Sequence, residues 1–547
     1  MAITPATRQS SAARVEPAFQ HSACTSTHAS AALPRRRFST FAAAGLALVV
    51  CAAPRAETWR IVPSVSYEST LTNNVALTST DRQSDWVNQF TPGVQFTERG
   101  AHSVLNGSIA VPVLLYARTG ENNDIAPRAN IVGTFEAIEK FFFIDASANV
   151  SQQFRSPFGT RSISLVNTTD NRYTQQTYVI SPYINVDRPD GLSYALRQQS
   201  IWSNAGGGGD TVSGAAGSRS FTSNITGRIA RQSGISGFSV DYNRSDIRFT
   251  DFNDAGRDRE STELARLSGL YHPDPTMQVS VSAGYENNQF FTTDERGFTY
   301  GAGIVWHPTD RTNLDTSWEH RFFGGSYHLT FTHRTPLTVW TVAASRDLTT
   351  FPQQVASLPA GGDVARLLDA LFASRVADPL QRQLLVDQVI RERGLPGELS
   401  TPLAIYAQRL TLAESVSATL GILGARNTIF VKVYHLLEEP AVRGDEAFEP
   451  LVTVLTTKQT GANVTWTYQV APTIAFTASA DASRASGESN LVTRFYALNA
   501  TISRTLSPLT SIHTGLRYQR SSSNGTLDMA ANYDEFAVFI GFNHTFR

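Results

Sequence analysis

Nine charged residues have the most chemistry to offer: Asp145, Asp187, Asp241, Glu286, Asp315, Glu319, Arg321, Arg334 and Arg517. Each falls at a polar position of a stretch in which apolar and polar residues alternate. That placement suits either an ion-pair ladder along a wall or a polar path for a hydrophilic solute, and both readings stand at this point. Bond-breaking chemistry finds little support. Asp251-Phe252-Asn253-Asp254-Ala255-Gly256 opens like a calcium loop, but Ala255 fills a ligand position and the twelfth residue is Thr262. Gly206 to Gly209 is followed by Asp210, not by Gly-Lys-Ser/Thr, so it reads as a loop and not a phosphate cradle. The histidines lack metal-ligand spacing, and no Gly-x-Ser-x-Gly elbow occurs. Both cysteines, Cys24 and Cys51, precede the first strand, so the rest of the chain offers no thiol. No catalytic residue, metal or cofactor is assigned.

The elements that position these charges are strands. From Gly297 to Ser345, Phe298, Tyr300, Ala302, Ile304 and Trp306 share one face, and Thr299, Gly301 and Gly303 the other. This is period 2, which only a strand gives. His272-Pro273-Asp274-Pro275-Thr276, His307-Pro308-Thr309-Asp310 and Gly324-Gly325 read as turns. Beyond the second of these, Leu314, Thr316, Trp318, Tyr327, Leu329 and Phe331 oppose Asp315, Glu319, Arg321 and Arg334. If the greasy face met lipid, an arginine there would cost about 2–4 kcal/mol near the midplane, so the charges belong on a lumen.

Composition agrees. Charged residues make up 17% of the chain, against about 25% in soluble domains. Only three lysines occur, Lys140, Lys432 and Lys458, and no basic-aromatic patch points to nucleic acid. Arg35-Arg36-Arg37 precedes an apolar run from Phe41 to Cys51 and then small residues to Ala56. Residues 1–56 therefore read as a cleaved export signal on the general secretory route. After it no 18-residue apolar run exists, so helical spans are excluded for 57–547.

The same strand grammar fills 57–547. Tight turns alternate with long polar loops at 69–85, 118–127, 155–172, 204–218 and 250–260, the mark of an outer-membrane barrel. The expected fold is all-β: a transmembrane antiparallel barrel of about 22 strands (20–24), with both termini on the periplasmic side. No 40–50-residue repeat supports a soluble propeller. Residues 361–394 break the pattern and read as a helical hairpin in one long extracellular loop. Asp363 is placed as the cap of the first helix, Asp378-Pro379 opens the second, and Gly394 with Pro396 ends it. A lumen this wide needs filling by inserted loops, or the barrel must flatten. At the end, Phe536, Val538, Ile540, Phe542 and Phe546 alternate, with Gly541 five residues before Phe546. This resembles the terminal signal read by the barrel-assembly machinery, here followed by an extra Arg547.

Several segments resemble an uncharacterised outer-membrane barrel family associated with exosortase/PEP-CTERM systems and exopolysaccharide loci. They are Trp59 to Ser64 with Thr72-Asn73-Asn74-Val75, Thr91-Pro92-Gly93, Phe143 to Ser147 with Ser156-Pro157-Phe158-Gly159, Trp306 to Thr309, Glu319 to Gly324, His333-Arg334, Asp378-Pro379 and Arg393 to Pro396. Their order along the chain carries the likeness more than any single motif. The resemblance implies a Gram-negative outer membrane, outer-membrane lipid around the wall, and exopolysaccharide or its export components as partners. It supplies no catalytic residues. A general diffusion porin and a lipid- or polysaccharide-modifying enzyme barrel remain the alternatives.

Overall fold

The computed structural model describes residues 58–546, apart from 207–218, 250–258, 357–361, 374, 377–380, 383–384, 387, 391–394, 396–398, 400–401, 404–408, 443–455, 489 and 525–531. The export segment, the Asp251–Gly256 loop, most of the Gly206–Gly209 run, Asp378-Pro379 and Gly394 with Pro396 lie outside the described residues.

Alternation becomes antiparallel pairing, each crossing of the wall bonding to the next in sequence from Thr58–Thr72 to Tyr533–Thr545. The first and last strands then pair with each other, Ser64 against Thr545 and Thr72 against Ala537, so the sheet closes. Twenty-four strand segments make 22 crossings. Ser103–Ala110 and Val113–Tyr116 both pair with Asp85–Arg99 and form one crossing broken at Pro112. Asp124–Ile125 and Arg128–Ile138 form another, broken at Pro127. Proline has no N–H to give the ladder. The Ala126 N–H still donates to Pro112 O across the double break, at 3.0 Å.

Large apolar side chains cover the outer face all round: Trp86, Phe135, Ile180, Leu196, Ile229, Leu267, Phe298, Trp340, Trp466, Leu498 and Ile540 are all exposed. A soluble surface of this extent would aggregate; a closed wall with such a belt is a transmembrane barrel of the outer-membrane type. The face shared by Trp306 and Trp318 is outward, and that of Glu286, Glu319 and Arg321 inward.

One rim carries both ends of the sheet and tight connections such as Asp310-Arg311, Thr335-Pro336-Leu337 and Pro472-Thr473. The opposite rim carries the long loops, but not only those. Phe290 to Thr293 and Phe322-Phe323 are tight there as well, so long and short connections do not alternate strictly.

Of three turns read from the sequence, one falls elsewhere, one is shifted toward Arg311, and one narrows to Pro275-Thr276 within the segment named. The strand Asp294–Thr309 runs through Pro308, which sits in a bulge between Trp306 and Thr309; the turn itself is Asp310-Arg311. Pro273 lies in the same kind of bulge, between Tyr271 and Asp274. A bulge frees a ladder position from its N–H, so proline fits without ending the strand. Gly324 pairs with Arg321, leaving Phe322-Phe323 as the turn, and its φ of 97° is the left-handed conformation that glycine tolerates.

The wall is pinched at the long-loop rim. Only Thr350 separates the strand Thr338–Thr349 from the helix Phe351–Ala356. Yet Phe351 and Val355 pack with Tyr173 and Ala205, on strands far round the barrel. A circular barrel of 22 strands would be about 40 Å across, from a strand spacing of about 4.8 Å and a tilt of about 40°. Two extended residues reach only about 7 Å, so the walls must approach each other.

Candidate functional site

The lumen is the candidate site, and two insertions enter it from the long-loop rim. The larger spans 350–410. Its helix Gly362–Phe372 puts Val364, Leu367, Leu368, Leu371 and Phe372 into a cluster with Val339 and Phe430 of the wall. Val339 and Phe430 lie near the tight turns of the opposite rim, so the helix descends through the lumen. Residues 381–382, 385–386 and 388–390 are also helical, and Val386 joins the same cluster.

Polar contacts fasten this insertion. Lys432 Nζ donates to Asp363 Oδ2 at 2.5 Å, with both side chains nearly buried. Asp363 therefore lies inside the first turn as an ion-pair partner, where the sequence suggested a helix cap. Arg334 donates to Ala370 O at 2.9 Å, and Arg375 donates to Pro336 O at 3.1 Å. Nearer the other rim, Gln353 donates to Asn224 and Ser245, and the Leu410 N–H donates to Glu260 at 2.7 Å.

The second insertion is the 155–171 loop. Arg517 donates to Glu535 at 2.8 Å, and Glu535 also accepts from Thr72 at 2.8 Å and Asn167 at 3.3 Å. Gln519 donates to Ser162 and Asn167 of the same loop. Val166 packs with Val75, Val87, Leu114 and Tyr116. Arg161 lies over Phe495 at 4.3 Å and bonds Ser483; burial pulls its guanidinium below the ordinary arginine range, opposed by Tyr434, Tyr533 and Asp481.

The other sequence-selected residues lie on the inner wall. Glu286 is fully buried and accepts from Arg321 Nε at 3.1 Å and Nη2 at 3.0 Å, and from the Phe322 N–H at 2.6 Å. Arg321 also reaches Asp347 at 2.6 Å. Glu319 accepts from Arg266 at 2.6 and 2.8 Å. Arg266 starts three strands away and crosses Gly284 and Gly301, which stand in its path on the intervening strands. A Cβ at Gly301 would come within 3.1 Å of Cα of Glu319, so the bare backbone keeps that lane open. Asp241 lies opposite Arg266 and 3.6 Å from Arg228. Asp145 takes a 2.8 Å bond from Arg197 and another from Thr134, lining an open depression of about 300 Å³. Asp187 is exposed at the tight-turn rim, and Asp315 is exposed on the inner face. Among the described residues neither makes an ion pair, and the other seven fall into separate groups along the wall and do not form one cluster.

Gly541 lies at the closing seam. A Cβ there would meet Tyr67 O at 2.5 Å and the His513 ring at 2.7 Å, while His513 lies 3.1 Å from Glu68. Phe546 is exposed, with its N–H donating to Pro63 O at 2.8 Å.

Sequence reading missed Lys432, Arg266, Arg197, Asp347, Glu535 and Asn167. Lys432 carried a signal: one of three lysines, it shares a strand face with Phe430 and Tyr434 on a wall strand. Among the described residues, no group of three or more His, Cys, Asp or Glu is placed to hold a metal.

No family model matches the sequence, and no curated protein does. Among solved structures, the siderophore receptor PirA from Pseudomonas aeruginosa superposes with a TM-score of 0.43 at 8% identity, covering 90% of this chain and 81% of that one. The siderophore receptor PirA from Acinetobacter baumannii gives 0.43 at 9%, covering 89% and 81%. OmpT, an outer membrane protein of Vibrio cholerae, gives 0.30 at 7%, covering 90% and 99%.

Proposed function

We propose that the protein is a non-enzymatic outer-membrane conduit, held shut by its own 350–410 segment, that serves polymer export or surface assembly. The observation that carries this reading is the seating of the helix Gly362–Phe372 inside the wall, through Lys432 to Asp363 and Arg334 to Ala370 O. A helix that only decorated a loop would need no buried ion pair with the barrel. Elsewhere the inner wall presents Ser280, Ser282, Ser317 and Thr330, small hydroxyls suited to a hydrated solute. The assignment to exopolysaccharide rests on the sequence resemblance.

Planar-bilayer conductance of the full chain and of a variant lacking 361–394 tests the proposal. The full chain is expected to be silent and the deletion to conduct. Silence in both ends every channel reading. Steady conductance in the full chain favours a general diffusion porin.

A further inference from the structure

The outer face holds a set of cations that the wall itself does not neutralise. At the long-loop end, Arg484 lies directly opposite Arg494 on the neighbouring strand. Like charges directly opposite each other destabilise a sheet. Both are exposed, and no described carboxylate lies within ion-pair distance of either. Arg520, one strand further, faces Asp534, but Arg82 already takes both oxygens of that carboxylate, at 2.6 and 2.9 Å. Lys458 is exposed on the other flank, opposite Ser486.

Elsewhere at this end several outward arginines meet acids, although Arg248, opposite Arg259, meets none among the described residues. Arg244 and Arg259 share Asp246, and Arg346 lies 3.7 Å from Glu414. In the Arg484 and Arg494 pair neither member meets a described acid, so the described wall leaves both charges open to an anion from outside it.

The surface beside the pair says what kind of anion fits. Running from Arg484 toward the membrane centre on the same strand face are Ala482, Ala480 and Ala478. Tyr496 and Leu498 stand on one side of this column, Val464 and Trp466 on the other. Small residues between large ones make a shallow apolar groove that begins at the cations and continues into the lipid-facing belt. A free inorganic anion would use the cations and leave the groove unused.

We propose that Arg484 and Arg494, flanked by Arg520 and Lys458, bind the phosphate headgroup of a lipid in the surrounding leaflet, with an acyl chain lying over Ala478, Ala480 and Ala482. Guanidinium groups bind phosphate through paired, charge-assisted hydrogen bonds, and two opposed arginines gain stability when an anion separates them.

The test uses the purified full-length protein in detergent, with bisphosphorylated lipid A as the probe and native mass spectrometry as the readout. Wild type is expected to retain the lipid, and the R484Q/R494Q variant to retain at least tenfold less. A480W, which fills the groove without changing charge, should lower retention at least threefold, and R244Q should leave it unchanged. Dephosphorylated lipid A should bind wild type at least tenfold more weakly. Folding of each variant is checked by its heat-dependent gel mobility; if the double variant does not fold, R494Q alone replaces it. Equal retention by the arginine variant, or by A480W, overturns the proposal. Displacement of lipid A by inorganic phosphate at equal concentration also overturns it, in favour of a simple anion site.

Discussion

Lys432 of the barrel wall and Asp363 of the luminal helix meet at 2.5 Å, 69 residues apart in sequence, with little of either side chain exposed. Removing one partner of a buried pair costs about 3–5 kcal/mol when the other charge is left uncompensated, and less here, because Arg366 still reaches Asp363 at 2.8 Å. Lys432→Ala should therefore loosen the insertion without opening the wall. We expect at least tenfold more open time in planar bilayers, with unchanged heat-dependent gel mobility. Equal open time in the variant and the wild type would remove the latch role.

Arg321 and Glu286 should govern stability more than passage. Glu286 is fully buried, so Arg321→Ala strands a carboxylate, with a loss of about 3–5 kcal/mol. Replacing both, as R321M/E286Q, should recover most of that loss in urea unfolding of detergent-solubilised protein. A double variant no more stable than R321A would show that the pair does not act as a unit.

Neighbouring residues on one strand separate the two faces. Val281 is 65% exposed on the apolar side, while Ser280 faces inward beside Gly303. Val281→Arg should lose about 2–4 kcal/mol of stability in a bilayer. Ser280→Arg should lose much less. The reverse order in lipid-bilayer unfolding would invert the assignment of faces.

Gly541→Val should impair closure. Its side chain would press on Tyr67 O and the His513 ring, overpacking that costs about 1–3 kcal/mol. A lower folded fraction by gel mobility is expected, partly restored by removing the ring in H513A/G541V. An unaffected folded fraction in G541V would mean that the seam tolerates the added bulk.

The strands were legible because period 2 is a local property: Phe298, Tyr300 and Ile304 declare their face within a few residues. The crossing count followed from the same periodicity. Proline misled the turn assignments, since Pro308 and Pro273 occupy bulges that a single sequence does not reveal. The contents of the lumen were less legible. Asp363 looks like a helix cap from its neighbours alone, and only Lys432 on a distant strand shows its partner. Arg266 and Glu319 likewise meet across two strands whose glycines read locally as mere small residues.

The seam between Thr58–Thr72 and Tyr533–Thr545 has a consequence in time. The first strand has no partner on one edge until the last has been made, with every other crossing between them. Up to that moment the wall is an open sheet with two edges ready to pair wrongly. A chain stopped shortly before Tyr533 would thus be a different object from a slightly smaller barrel. Completion is all or nothing, decided by the final thirteen-residue strand.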